Sequence, residues 1–463
     1  MFDVNTYASR RAALCAALGD GIALLPGSDP APMNFAANTY PFVQDSNFRY
    51  FFGLDRPGLF GLLDLATGEA ILFGDQPQPD DLIWTGEARD LDADARRAGI
   101  GKVEPRGSVT RHVERARRQG RVVHFLPAYK ADILLRLADA LDVAPQVIRL
   151  GASSRLIQAI VSLREIKSPG EIAEMEAALE LTRDVHHLAM RETRPGRFER
   201  QIVGAMEGLV RGAGRRLAYG CVFTARGEIL HNRNHDGLLT AGDLVINDAG
   251  TASAGGYSAA ITRSLPASGR FDPLQRALYE LVLSAQVTAI AACRPGEPFS
   301  EIHRRASLVL VEGLTTLGVF RGDAGDIVES GAYAICYQSG LGHQIGLDVR
   351  DMESLGEDHV GYDAEVRRRD LFGWSNLRMA RRLKPGMTVT VGPGIFFIEA
   401  LIQRWRAEGR FAGLIDYDAL SALGGVRGVR VEDNLLVTDM GCRILGPPVA
   451  RSIAAVEALM ADR

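Results

Sequence analysis

The sequence predicts a mixed α/β protein with more than one domain. Its 463 residues exceed the length that one hydrophobic core usually organises. Apolar residues make up 46% of the chain and charged residues 24%, so the composition is that of a globular protein and not of a disordered one. In the first third, short apolar runs bounded by glycine and proline alternate with helical patterns, which indicates a sheet flanked by helices.

The amino-terminal elements follow one another in a regular order. Residues 9–18 and 131–142 have the apolar periodicity of amphipathic helices. Residues 21–27, 60–74 and 120–127 are apolar runs between glycines or prolines and are predicted as strands. We therefore expect a mixed sheet with helices on its faces.

The longer carboxyl-terminal part begins with a helix signal. Ser168 followed by Pro169 is typical of a helix start, and apolar side chains near helical spacing run through residues 162–190. Two more long helices are predicted over residues 271–292 and 298–317. They alternate with strand-like runs such as DLVINDAG and MTVTVGPG.

The charge balance limits the class of partner. A formal net charge of -4 gives no reason to expect a nucleic acid or a membrane surface. The amino terminus lacks a signal-peptide pattern, and no apolar run reaches membrane-spanning length. We expect a cytoplasmic protein whose partner is a peptide or a small molecule.

The cysteines favour free thiols. Five of them, an odd number, are widely spaced and form no CxxC pair. This pattern argues for a reducing compartment and against both a disulfide framework and a thiolate zinc site.

Five strings carry the most specific signal in the chain. They contain acidic, histidine and glycine positions in a fixed order, and they are VINDAG (residues 245–250), YSAAITRS (257–264), GLGHQIGLDVRD (340–351), VTVGPGIFFI (389–398) and GVRVEDNLLVT (428–438). In this order they resemble the catalytic domain of the pita-bread metallopeptidases, the group that contains aminopeptidase P, prolidase and methionine aminopeptidase. The resemblance covers nearly the whole chain.

The resemblance implies an architecture. It predicts an aminopeptidase P-like α/β domain over residues 1–165 and a pita-bread domain, with curved antiparallel sheets flanked by helices, over residues 166–463. The insertion at residues 353–383 is similar to that of a longer subgroup of aminopeptidase P. Assembly as a homodimer is implied in the same way.

The amino-terminal domain contains a second resembling segment. Residues 38–58 followed by DLIWTGE are similar to aminopeptidase P, in which a tryptophan reaches toward a substrate site; Trp84 is the matching residue. Aromatic side chains also dominate ordinary cores, and this alternative fits Phe42, Phe48, Tyr50 and Phe51 better.

The family holds two divalent metals, manganese among them, with two Asp, one His and two Glu. Asp248, His343 and Glu432 match three of these ligands. Ala260 stands where the second Asp is expected, after a loop one residue longer than usual, and Gly392 replaces the Glu that also handles the proton of the attacking water. Hard cations need such oxygen ligands, so the sequence predicts no metal or one weakly held divalent ion. In its absence, His343 is expected to hydrogen-bond to Asp248 or Glu432.

The outer positions of the resembling site are also changed. Ser339 and Arg350 stand where the family has histidines, and His231 matches a third. Arg430 matches a substrate-facing or supporting arginine, and Arg350 is expected to neutralise the remaining carboxylates and to face substrate. His231 and His235 form a metal pair if they lie on a helix, but the flanking polar residues favour a loop.

Three functions stay open from the sequence. The first is an Xaa-Pro aminopeptidase-like protein that binds or cleaves peptides with proline second, with lost or much reduced dinuclear-metal hydrolysis. The second is an active hydrolase, either a single-metal peptidase or a creatinase-like enzyme that uses His231, with Glu432, without metal. The third, a protein-interaction module, has histone-binding precedents, but the balanced charge argues against a histone partner.

Overall fold

The computed structural model describes residues 2–76, 79–86 and 90–462. The chain forms two compact units. Unit 1 comprises Met1–Arg164 and Met352–His359, and unit 2 comprises Glu165–Asp351 and Val360–Arg463.

Unit 1 is an α/β unit, as predicted. Its helices are α1 (Val4–Leu18), α2 (Ser46–Phe52), α3 (Pro79–Thr85), α4 (Leu91–Arg97), α5 (Val109–Arg118), α6 (Ala131–Leu141), α7 (Pro145–Leu150) and α8 (Ser154–Arg164). Its strands are β1 (Ile22–Pro26), β2 (Pro32–Phe35), β3 (Asn38–Thr39), β4 (Phe60–Asp64), β5 (Ala70–Phe73), β6 (Lys102–Glu104) and β7 (Val123–His124).

The main sheet of unit 1 is mixed, in the order β6-β5-β4-β1-β7. Strands β1, β4 and β5 are antiparallel neighbours, whereas β7 and β6 join the two edges in parallel. Apolar side chains of β1, β4 and β5 form one core with those of α5 and α6. The prediction of a mixed sheet packed against helices is confirmed.

Local interactions shifted some predicted boundaries. Helix α1 begins five residues before the predicted start, because the side chain of Asp3 accepts a hydrogen bond from the amide of Thr6 and caps the helix there. The run over residues 60–74 is two strands joined by a turn, in which Gly68 has a φ of 75°.

The aromatic segment of unit 1 divides between core and surface. Phe48, Tyr50 and Phe51 of α2 are buried, so the core interpretation is confirmed for them, while Phe42 is only partly buried. Trp84 of α3 is 84% exposed. An exposed tryptophan of this size is not part of the core, and its predicted contact with substrate stays a prediction.

Unit 2 combines long helices with short antiparallel strands. Its helices are α9 (Pro169–Glu192), α10 (Glu199–Gly212), α11 (Pro273–Ala292), α12 (Phe299–Thr316), α13 (Ala324–Glu329), α14 (Glu357–Gly361, which begins in unit 1), α15 (Glu399–Ala407), α16 (Tyr417–Ala422) and α17 (Ile453–Ala461). Its strands are β8 (Arg216–Leu217), β9 (Val222–Thr224), β10 (Leu244–Ala249), β11 (Thr251–Ala252), β12 (Ile261–Pro266), β13 (Thr388–Val391), β14 (Gly394–Phe396), β15 (Gly428–Arg430), β16 (Asp433–Val437) and β17 (Cys442–Ile444).

The predicted start of α9 is confirmed in detail. The Ser168 side chain accepts from the amide of Glu171, whose carboxylate accepts from the amide of Ser168, and Pro169 fills the first turn. The two predicted long helices are α11 and α12, with ends within two residues of the expected ones.

Strand register in unit 2 brings distant segments together. The order β12-β10-β9 forms one sheet, β13-β16-β17 a second, and β14-β15 a two-stranded ribbon. Isolated bridges join Thr262 to Glu432 and Gln344 to Val389. In the described ranges, no helix combines the length and apolarity needed to cross a membrane.

Candidate active site

Two carboxylates predicted as ligands lie on one face of adjoining strands. Asp248 of β10 is the register partner of Thr262 of β12, and Thr262 bridges in turn to Glu432, which follows β15. Directly opposed residues of antiparallel strands project to the same face. The Thr262 hydroxyl accordingly donates to Oε2 of Glu432 at 2.9 Å.

The Arg430 guanidinium lies between these two carboxylates. Its Nη1 is 3.1 Å from Oδ2 of Asp248, and its Nη2 is 2.9 Å from Oε1 of Glu432. Its Nε also donates to the carbonyl of Gly392 at 3.3 Å. Burial lowers the pKa of Arg430, but the charges of Glu432 and Asp248 outweigh burial and leave that pKa above its ordinary value. The arginine is therefore a fixed cation at the centre of the site.

Every oxygen of the two carboxylates has a hydrogen-bond donor. Tyr219 donates its hydroxyl to Oδ1 of Asp248 at 2.5 Å, and the remaining three oxygens are bonded to Arg430 or Thr262. The pKa of Asp248 is raised, and burial is the largest cause. The positive charge of Arg430 lowers this pKa, whereas the negative charge of Glu432 raises it. Asp248 and Glu432 therefore repel each other, and the guanidinium of Arg430 offsets that repulsion.

His343 is a partly buried, neutral imidazole. Its Nδ1 is 2.9 Å from the carbonyl oxygen of Gln344, so Nδ1 carries the proton and Nε2 keeps its lone pair. Burial lowers the pKa of His343 to about 3. The expectation that His343 would hydrogen-bond to Asp248 or Glu432 is wrong for Nδ1, because the carbonyl of Gln344, the next residue in the chain, accepts the hydrogen bond from that atom.

The two positions at which the resemblance implies further ligands, Ala260 and Gly392, are closely packed. Ala260 is buried, and its amide and carbonyl are both bonded to the side chain of Asn434, at 3.0 and 2.6 Å. Gly392 touches Glu432 so closely that a Cβ there would lie 2.8 Å from the Glu432 Cβ and Cγ atoms. A glutamate at position 392 therefore requires Glu432 to move.

This donor set does not fit the pair of divalent ions that the resemblance implies. Within the described part of the chain, no three His, Cys, Asp or Glu side chains are close enough together to hold a metal ion. Asp248 and Glu432 instead present their oxygens to the cation of Arg430, and a metal ion in that place would be repelled by the guanidinium. Two divalent ions would also need more anionic oxygens than the two carboxylates supply.

His231 lies in a loop on one side of this region. Its Nε2 is 3.4 Å from Nη2 of Arg350, which donates to it. Burial first, and then the charge of Arg350, lower the pKa of His231, so the imidazole is neutral near pH 7. The loop favoured by the sequence is confirmed, so His231 and His235 do not pair on a helix, and His235 Nδ1 lies 3.2 Å from the carbonyl of Phe223.

Sequence reasoning missed several contacts of the site. Tyr219 lies outside the five strings, whereas Asn434 lies in GVRVEDNLLVT. Thr262 lies in YSAAITRS, two positions after Ala260, and strand alternation places these two residues on the same face. The cation that bonds both carboxylates is Arg430, where Arg350 was expected to neutralise them. Ser339, at a former histidine position, has a buried hydroxyl for which the described residues provide no hydrogen-bond partner.

The chain is similar to known peptidases. Residues 173–439 match the family model for metallopeptidase family M24, and residues 7–124 match the amino-terminal domain of aminopeptidase P. The Xaa-Pro aminopeptidase of Haemophilus influenzae is 32% identical, over 98% of this chain and 96% of its own. The human Xaa-Pro dipeptidase is 28% identical, over 91% of this chain and 84% of its own.

Solved structures extend the similarity to the fold. The aminopeptidase PepP of Pseudomonas aeruginosa superposes with a TM-score of 0.80 at 30% identity, covering 100% of this chain and 99% of its own. Aminopeptidase P of Escherichia coli with the inhibitor Pro-Leu gives a TM-score of 0.79 at 26% identity, with coverage of 100% and 99%. The predicted combination of an aminopeptidase P-type amino-terminal domain and a pita-bread domain is confirmed, and the chain belongs to metallopeptidase family M24.

Proposed function

We propose that this protein binds peptides with proline at the second position, and that it hydrolyses them much more slowly than its metal-dependent relatives, or not at all. The observation that carries the proposal is the Arg430 guanidinium, hydrogen-bonded to both Asp248 and Glu432. The substrate class is inferred from the Xaa-Pro aminopeptidases and dipeptidases to which the chain is similar.

The chain's own side chains support binding more than hydrolysis. Gly392 offers no carboxylate to take a proton from water, and Ala260 offers none to hold a second cation. In the family the bound metals supply an activated hydroxide and polarise the scissile carbonyl. The neutral His343 retains an acceptor at Nε2, and Tyr219 and Arg430 hold Asp248 in place.

Metal content and turnover test the proposal directly. Protein purified without chelator is analysed for metal, and release of the first residue from an Xaa-Pro-Xaa tripeptide is followed with added manganese. We expect less than one equivalent of metal and a rate lower by about 100-fold or more than that of the Haemophilus influenzae enzyme assayed alongside, the scale of losing one general base. Two bound equivalents with a comparable rate contradict the proposal.

Restoring the lost carboxylates gives the converse test. The double variant Ala260→Asp with Gly392→Glu is expected to gain manganese binding, provided Glu432 shifts from the new side chain. The matched control is the same pair with neutral amides, Ala260→Asn with Gly392→Gln, which adds similar volume without charge. Equal manganese binding by both double variants would show that charge was not the missing element.

A metal-independent hydrolase is the second candidate function. The specific observation in its favour is that His231 is neutral near pH 7, exposed to solvent, as a general base needs to be, and hydrogen-bonded to Arg350. It predicts turnover of an amide or amidine in the presence of a chelator, lost in His231→Ala and kept in the loop control His235→Ala. Absence of chelator-resistant turnover eliminates this candidate.

Two expectations about binding remain proposals. A role for Trp84 in peptide contact rests on the resemblance and on its exposure of 84%. It predicts weaker peptide binding by Trp84→Ala but not by Leu150→Ala, a similarly exposed apolar control.

Assembly as a homodimer is tested by light scattering of the purified protein, and a monomer mass would contradict it.

A further inference from the structure

Two cysteines far apart in the sequence of unit 2 meet at one carbonyl group. Cys293 follows the last residue of α11, and Cys442 is the first residue of β17. The amide of Cys293 donates to the carbonyl of Ile290 at 3.1 Å, and the Cys442 sulfur donates to the same oxygen at 3.2 Å. The two cysteines therefore lie on either side of one carbonyl oxygen, that of Ile290.

The two thiols differ in access and in acidity. Cys293 is only 2% exposed, whereas Cys442 is partly exposed and follows a turn in which Met440 is 94% exposed. The hydrogen bond from Cys293 lowers the pKa of Cys442, and the same bond together with burial raises the pKa of Cys293. Thiolates are the nucleophilic form of cysteine, so Cys442 is the thiol that an oxidant reaches and reacts with first.

The other cysteines do not share this arrangement. Burial raises the pKa of Cys221 to about 12 and raises the pKa of Cys336 even further. Burial is also the largest cause of the raised pKa of the partly exposed Cys15, whose sulfur donates to the carbonyl of Asp64.

We propose that Cys442 and Cys293 form a reversible disulfide when the protein meets a peroxide. The Cys442 thiolate attacks one oxygen of hydrogen peroxide, which forms a sulfenic acid and releases hydroxide. The Cys293 sulfur then attacks the Cys442 sulfur, its proton leaves with the sulfenic oxygen, and water departs as the S–S bond forms. Overall, two thiols are oxidised and one peroxide is reduced to two waters.

The bond would connect elements that hold the candidate active site. Helix α11 contributes Gln286, whose amide nitrogen donates to Oδ2 of Asp433 at 3.0 Å and to the carbonyl of Val391 at 3.2 Å. Asp433 is next to Glu432 in the chain, and Val391 is next to Gly392. A covalent link from the end of α11 to β17 therefore restrains the helix and the β16–β17 hairpin on which these residues depend.

Mass spectrometry tests the proposal. The full-length protein is treated with a small molar excess of hydrogen peroxide, quenched and alkylated. We expect the intact mass before alkylation to fall by the mass of about two hydrogens, a cross-linked peptide pair containing Cys293 and Cys442, and full reversal by dithiothreitol. The thermal unfolding midpoint of the oxidised protein is expected to rise by roughly a few degrees, because the bond constrains the unfolded chain.

Matched variants distinguish this pair from general oxidation. Cys442→Ser should abolish the mass loss and the rise in the midpoint, and Cys15→Ser, which removes the other partly exposed thiol, should leave both unchanged. Cys293→Ala should convert the response into stable sulfenic or higher acids on Cys442; if that buried substitution impairs folding, Cys442→Ser alone decides. Oxygen addition to the wild-type protein without a Cys293–Cys442 peptide, or a disulfide between two molecules, overturns the proposal.

Discussion

Gly392 is in van der Waals contact with Glu432, and a Cβ atom added to the glycine would lie 2.8 Å from the Cβ and Cγ atoms of the glutamate. The absence of a side chain at position 392 is therefore part of how Glu432 is placed. The backbone carbonyl of the same glycine accepts from Arg430, which in turn holds both carboxylates.

The first prediction concerns this contact. Gly392→Ala should lower the free energy of unfolding by about 1–3 kcal/mol, the usual cost of overpacking a buried position. Gly413→Ala, at a glycine with open space around it, should change that free energy by no more than about 0.5 kcal/mol. Denaturant unfolding of both variants measures the difference, and equal stability would show that Glu432 relaxes without cost.

The second prediction concerns the arginine. Arg430→Met leaves Asp248 and Glu432 without their shared cation and should cost about 3 kcal/mol of stability, as expected when one partner of a largely buried ion pair is removed. The same variant should bind manganese more tightly than the wild type, because the competing positive charge is gone. Arg427→Met serves as the control for loss of a nearby arginine, since Arg427 donates to the Ala225 carbonyl and not to the carboxylates. Calorimetric titration with manganese is the measurement; weaker binding by Arg430→Met would count against the guanidinium as a competitor.

The third prediction concerns acid stability. Burial lowers the pKa of His186, His303 and His343 to about 3 each, from an ordinary value of 6.5. Between those values the unfolded chain takes up protons that the folded chain does not, so stability present above pH 6.5 is lost as the pH falls toward 3. Each such histidine contributes a slope of about 1.4 kcal/mol per pH unit at full effect.

Replacing one of these histidines isolates its contribution to the pH dependence of stability. His303→Gln should reduce the pH dependence of the unfolding free energy between pH 6 and 4 by about one proton. Unfolding curves at a series of pH values give the slope. An unchanged slope in His303→Gln would mean that this imidazole is protonated in the folded protein.

The fourth prediction concerns the buried ion pair between Lys167 and Asp351. Their atoms Nζ and Oδ2 are 2.9 Å apart, and the two side chains are 1% and 2% exposed. Lys167→Met should cost about 3–5 kcal/mol, because it removes a buried cation from one side of an ion pair. The double variant with Asp351→Asn should recover part of that loss, and strictly additive effects in the thermodynamic cycle would contradict the coupling.

The start of α9, the ends of α11 and α12 and the family could be predicted from the sequence alone, because they depend on residues that are close together in the chain. Ser168, Pro169 and Glu171 start α9 through hydrogen bonds that span three residues. The order of the motif strings indicated the family, and the identities of Ala260 and Gly392 are readable without coordinates. Helix periodicity located α11 and α12 to within two residues.

Other features depended on strand register, which no short segment specifies. Thr262 and Glu432 are 170 positions apart, and only the pairing of their strands brings the hydroxyl to the carboxylate. The same strand register places Arg430 between Asp248 and Glu432 and brings Gly392 into contact with Glu432. The packing of α11 on β17 brings the Cys442 sulfur to the Ile290 carbonyl, close to Cys293. The motifs identify which side chains are present. The tertiary structure decides their hydrogen-bond partners, because those partners lie on strands and helices that are distant in the sequence.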